Sequence, residues 1–243
     1  MLMPVILFGK EIIPYELFWS EKRKTLGISV QGNIVQVTAP NGVSEENVIN
    51  ILNKKAPWIR KQLEEYKEIN SFTEEKKFIA GEKLPYLGRA YRLKIIKEDY
   101  VQESGFKFYQ GMFVGTVSTS LQEDQYRQEL YPLYKKWVIS RADTFIQDRR
   151  KRFSIKIGES PTKIQVKEQK KRWGSCTPDG KILFNWRIFL APTSVVDYVL
   201  IHELTHLKHM NHSYDFWNTI KMVLPDYEIK KEWLRINGRK LYI

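Results

Sequence analysis

Three observations predict an α+β fold for this chain of 243 residues. Paired apolar runs of period two fill much of the first half, a long helical stripe opens the second, and an apolar helix near the end carries every histidine. A 42% hydrophobic and 13% aromatic composition is enough for real cores and excludes a disordered chain.

The strands come first. In LGISVQGNIVQVTAP, Ile28 and Val30 precede Gly32-Asn33, and Val35 and Val37 follow it, which is a hairpin pattern. Ser44 is placed to open a helix with Val48, Ile51 and Leu52. Pro57, favoured in a first helical turn, predicts a second helix with Trp58, Ile59 and Leu63. After the polar break NSFTEEKK, LPYL and AYRLKII flank Gly88-Arg89, and GFKFY and MFVGTV flank Gln110-Gly111. Residues 1–118 therefore read as a β-rich region with two helices, and residues 119–243 as a second domain, the break lying near 117–121. No internal repeat or low-complexity segment is visible.

The second half opens on Ser120 and Glu123, a capping-box pattern. From there to about Phe153, Tyr126, Leu130, Tyr134, Ala142 and Ile146 are spaced for one buried helical stripe, with Pro132 kinking it or starting its main segment. Ile164 and Val166 predict a strand, and Asp179-Gly180 a turn into KILFNWRIFLAP, read as one long strand with Ile182, Phe184, Trp186 and Ile188 on one face. Pro192 stops it, and Thr193 or Ser194 is expected to cap the next helix.

The net charge of +12 is uneven. Residues 119–243 hold 23 Lys and Arg against 14 Asp and Glu, whereas residues 1–118 hold 17 against 14. The densest band, Arg149 to Arg172, has ten cations against Glu159 and Glu168. Such a band serves either as a solvated face or as a surface for phosphate backbones, and the absence of a recognised nucleic-acid motif favours the former. The single cysteine, Cys176, forms no internal disulfide. The opening MLMPVILFGKEIIP has neither the charge pattern of a signal peptide nor the length of a membrane span. These features lead to the expectation of a soluble cytoplasmic protein without a membrane segment.

All four histidines fall in HELTHLKHMNH, His202 to His212. Four helical residues turn through about 400°, so His202 and His206 lie about 40° apart on one face and about 6 Å along the axis. Two imidazoles so placed can grip one ion, while Glu203 reaches the water that completes its coordination. In this H-E-x-x-H arrangement zinc lowers the pKa of a water from about 15.7 toward 7 and the glutamate takes the proton. A bare motif also occurs by chance. Here the surrounding helix is apolar (Val195, Val196, Val199, Leu200, Ile201, Leu204), so Glu203 and the imidazoles are costly burials without a metal or other partners. On a continuous helix His209 lies about 10 Å beyond His202, too far for a shared ion, and it reaches the ion only if the helix breaks early. Asn211 tolerates a left-handed cap, so the helix is expected to end near Met210 and the chain to turn His212 back as third ligand. Ser213 then caps a helix whose Phe216, Trp217, Ile220 and Leu224 pack beneath the site, and His209 is expected to pack or support a ligand.

RWGSC (Arg172 to Cys176), LFNWRIFLAP (Leu183 to Pro192) and VVDYVLIHELTHLKHMNHSYDFW (Val195 to Trp217) resemble the YgjP-like family of zinc metallopeptidases, relatives of the SprT-like zincins. VTAP, KKAPWI and GEKLPYLGRAYRL extend the resemblance over nearly the whole chain. It implies a zincin-like domain with a mixed sheet against the active-site helix, Zn2+ held by His202, His206 and His212, and Glu203 as catalytic base. It also implies Lys181 to Phe189 as the strand that offers its edge to a peptide substrate. Arg172, Arg187 and Tyr227 are unranked candidates for polarising the scissile carbonyl, and Cys176 is expected to be a small buried residue rather than a ligand.

The leading expectation is a zinc-dependent hydrolase acting on a peptide or protein. One alternative keeps the metal and attacks a nucleotide phosphoanhydride, as in a nucleoside triphosphate pyrophosphatase. Another is a nucleic-acid-associated protease or binding module using the band 149–172. Oligomeric state leaves no mark in the sequence.

Overall fold

The computed structural model describes residues 3–9, 11–21, 23–31, 34–70, 75–99, 102–169 and 172–243. The expected Gly32-Asn33 turn, residues 71–74 of the polar break, and Lys170 and Lys171 of the basic band lie outside them. The fold is α+β, as expected. Two compact units, residues 1–73 and 74–243, divide the chain.

In the first unit β1 (Val5–Phe8), β2 (Glu11–Ser20), β3 (Gly27–Gln31) and β4 (Ile34–Pro40) form a sheet of order β1-β2-β4-β3, followed by α1 (Glu45–Asn70). β3 and β4 pair antiparallel as their alternation requires, with Ile28 opposite Val37 and Val30 opposite Val35. Ser44 Oγ accepts from Asn47 N, as expected of an opening cap. Pro57 does not start a second helix: it lies inside α1. Val48, Leu52, Ala56 and Ile59 form one unbroken buried stripe across it. Burial of that stripe outweighs the hydrogen bond the proline removes.

The second unit repeats this topology. β5 (Lys83–Tyr86), β6 (Arg89–Glu98), β7 (Gly105–Tyr109) and β8 (Met112–Ser118) give the order β5-β6-β8-β7, followed by α2 (Tyr126–Ile157). The repeat escaped the sequence reading because different residue types satisfy the same periodicities. The expected boundary at 117–121 falls within this unit, since Leu84, Leu93, Phe113 and Val117 share one core with Tyr126, Leu130 and Tyr134 of α2. Ser120 does not cap α2. Gln122 instead closes a capping box with Gln125 over a 3-10 turn, Glu123–Gln125, that leads into the helix.

A mixed three-stranded sheet follows, with β9 (Lys163–Lys167), β10 (Gly174–Cys176) and β11 (Lys181–Asn185) in the order β10-β11-β9. The long strand expected over 181–192 stops at Asn185, whose side chain accepts from Arg187 N and opens a 3-10 helix, Trp186–Leu190. Ile188, Phe189 and Leu190 are all buried, which a strand with one solvent face does not allow. The β5–β6 hairpin tip braces this turn: Leu87 N and Gly88 N donate to the carbonyls of Phe189 and Leu190. Gly88, at φ +76°, lies so close to Pro192 that a Cβ would sit 2.7 Å from its Cα. Pro192, rather than Thr193 or Ser194, is the N-cap of α3 (Thr193–Thr205), its carbonyl accepting from Val195 N and Val196 N. α4 (Tyr214–Val223) and α5 (Tyr227–Asn237) complete the unit. Among the described residues no helix is long and apolar enough to cross a membrane.

Candidate metal centre

α3 is buried almost all round, with Val195, Val196, Val199, Leu200, Ile201 and Leu204 in the core. Its last regular residue is Thr205, earlier than the expected end near Met210. The backbone tightens there, with Leu207 N donating to Leu204 O and Lys208 N to Thr205 O, and a last helical bond from His209 N to Thr205 O precedes the reversal. Ser213 Oγ then accepts from Phe216 N and starts α4.

This reversal brings His202, His206 and His212 together. One ring nitrogen from each lies within 4.8 Å of the others. The Nε2 atoms of His202 and His212 are 3.1 Å apart. Tetrahedral zinc with bonds of about 2.0–2.1 Å places its ligand nitrogens roughly 3.3 Å apart, so this pair suits a shared ion. His206 directs Nδ1 at the carbonyl of His209, 3.1 Å away, leaving Nε2 for the centre. Burial, then the charges of His206, His212 and Lys231, hold His202 down at about 3. Burial likewise lowers His206. Both rings are thus neutral near pH 7, as metal ligands must be. The Nδ1 of His202 is buried without a hydrogen-bond partner among the described residues. A three-imidazole set with converging nitrogens fits a divalent ion such as zinc.

α4 supplies the floor. Phe216, fully buried, lies 5.0, 4.6 and 4.7 Å between ring centroids from His202, His206 and His212. Trp217 stacks on His212 at 5.6 Å and on Tyr227 at 5.5 Å. His209 stands outside the triad: its Nε2 is 3.3 Å from Thr219 Oγ1 on α4, while its carbonyl holds His206. It links the reversal to α4, as expected of a supporting residue.

Glu203 is only 5% exposed, and burial pushes its carboxyl up to about 8, against the opposing pull of the Arg172 charge. Of the three carbonyl-polarising candidates, Arg172 is the one whose charge acts on Glu203. Arg187 is engaged elsewhere, ion-paired with Glu168 and packed over Trp186 and Tyr242. Tyr227 OH bonds Glu228. Cys176 is part-buried outside the triad; burial, then the charges of Glu203 and Asp179, push its thiol up to about 11. The strand expected to bind substrate, Lys181 to Phe189, has no free edge, because β11 is paired on both sides. The edge strand beside Glu203 is β10. In the basic band, Arg149 pairs with Asp197 and Arg150 donates to Pro161 O, so part of its charge is used within the fold.

Comparison with curated proteins finds no match. A solved structure, the metallopeptidase zymogen abylysin of Pyrococcus abyssi, is similar at 23% identity with a TM-score of 0.35, over 39% of this chain and 93% of that one. The family model described as YgjP-like, metallopeptidase domain matches residues 24–237. That span includes the histidine cluster, the glutamate and most of both cores, and the chain belongs to this family of metallopeptidases, peptidase-type hydrolases that work with a metal ion.

Proposed function

We propose that the protein is a zinc peptidase in which His202, His206 and His212 hold the ion and Glu203 is the general base. The observation that carries this reading is the convergence of three imidazole nitrogens within 4.8 Å, together with a buried glutamate next to His202 on α3. When bound, the ion supplies Lewis acidity toward the scissile carbonyl and acidifies water. The positive charge of a bound ion favours the ionised carboxylate against its burial, and Glu203 in that form accepts a proton from that water and later delivers it to the nitrogen of the leaving amine. The His209 carbonyl fixes the His206 ring, and Phe216 and Trp217 fix the imidazoles from below. An extended peptide joins the free edge of β10 and so passes Glu203 and Arg172.

The test is Glu203→Gln in zinc-loaded protein assayed on a peptide library. Peptide cleavage by the wild type, reduced about 10²–10⁴-fold in kcat by the variant with zinc retained, is expected. Full activity in the variant would contradict the assignment.

A further inference from the structure

β10 passes so close to Glu203 that it leaves no room for a side chain at Gly174. A Cβ built there would lie 2.6 Å from Glu203 Oε1, 2.7 Å from its Cγ and 2.9 Å from its Cδ. Real Cβ atoms essentially never approach that closely. Gly174 is not among the positive-φ residues, so its backbone suits any amino acid. The glycine is needed for space alone.

The strand is held in this position by contacts unrelated to the metal. Asn185 is fully buried, and its Nδ2 donates to the carbonyls of Gln169 at 2.8 Å and Arg172 at 3.2 Å. Its backbone N–H donates to Trp173 O at 2.9 Å. Trp173 packs against Gly238, where a Cβ would meet its ring at 2.9 Å, and lies edge-on to Tyr242. With β10 fixed from one side and α3 from the other, the glutamate is confined between two rigid backbones.

We infer that Gly174 is a positioning residue for catalysis: the bare backbone of β10 is the wall against which the Glu203 carboxylate is set. This rests on the reading of Glu203 as general base. All three atoms that a methyl group would strike belong to the Glu203 side chain, so a variant yields by swinging that side chain, Cγ included, rather than by moving the strand. A carboxylate misplaced by about 1 Å costs on the order of 100-fold in rate.

Gly174→Ala, loaded with zinc, tests this by crystallography, metal analysis and steady-state kinetics. Unchanged zinc content, a carboxylate displaced by about 1 Å or more, and a roughly 100-fold loss in kcat with KM little changed are expected. An unmoved carboxylate with unchanged kcat would overturn the inference, as would a loss confined to KM, which would place residue 174 in the substrate path. If Gly174→Ala does not fold, recovery of folding on adding Glu203→Ala, which removes all three struck atoms, supports the contact and no recovery overturns it. A wild type that cleaves no peptide would defeat the proposed function, while the position of the carboxylate in the variant would still decide the role of Gly174.

Discussion

The chain builds the same architecture twice. β1–β4 with α1, and β5–β8 with α2, each join two antiparallel hairpins through a parallel pair, β2 with β4 and β6 with β8, and follow them with a long helix. The first core is mainly aliphatic: Ile6, Ile13, Val35 and Val37 meet Val48 and Leu52. The second is aromatic, with Phe113 and Tyr134 edge-on at 5.5 Å and Phe113 and Trp137 at 4.9 Å. α2 also runs on, 32 residues against the 26 of α1, and its Ala142, Ile146, Phe153 and Ile157 share a core with Val195 and Val199 of the histidine helix. Topology alone therefore carries no chemistry. The difference lies in what α2 holds against its second half, the helix of the histidines.

The comparison sharpens if the two cores are damaged separately. Leu52→Ala should destabilise the first unit by about 2–5 kcal/mol, read from denaturant unfolding, and leave zinc affinity unchanged. Loss of zinc in that variant would break the distinction. Within the second unit, Asn185→Ala should cost about 1–3 kcal/mol, because the carbonyls of Gln169 and Arg172 and the N–H of Arg187 lose their partner inside the protein.

A smaller effect concerns Glu168. Burial pushes its carboxyl up, but hydrogen bonds from Lys135, Arg187 and Trp186 and the Arg187 charge outweigh it and bring it down to about 2. A depressed folded pKa contributes stability that is present above the unfolded value, about 4.3, and lost as pH falls toward 2. The stability difference between metal-free wild type and Glu168→Gln should therefore be constant near neutrality and shrink between about pH 4 and 2. A difference that persists to pH 2 would remove the ion pair from the account.

Where one local force dominates, the sequence was readable. Ser213 caps α4 and Phe216 and Ile220 are buried beneath the site because cap chemistry and helical period agree there. In the Gln110-Gly111 turn Gly111 takes the positive φ it favours, 78°, and draws Gln110 to 47° with it. The errors arose where tertiary packing decides. Trp186 and Ile188 continue a period-two pattern, yet Asn185 turns the backbone into a 3-10 helix. α3 ends at Thr205 through a tightened turn that its residues do not announce. α5 and the β1–β2 hairpin went unread. Gly174 lies within RWGSC, but a glycine required for space rather than for φ has no local signature.

The most direct test of the central claim is zinc titration of the wild type and His212→Ala at neutral pH. One tightly held zinc per chain in the wild type, and affinity weakened on the order of 100-fold or more in the variant, is the expected result. Equal affinity in the two proteins would mean that the chain reversal after Thr205 brings no third ligand to the ion.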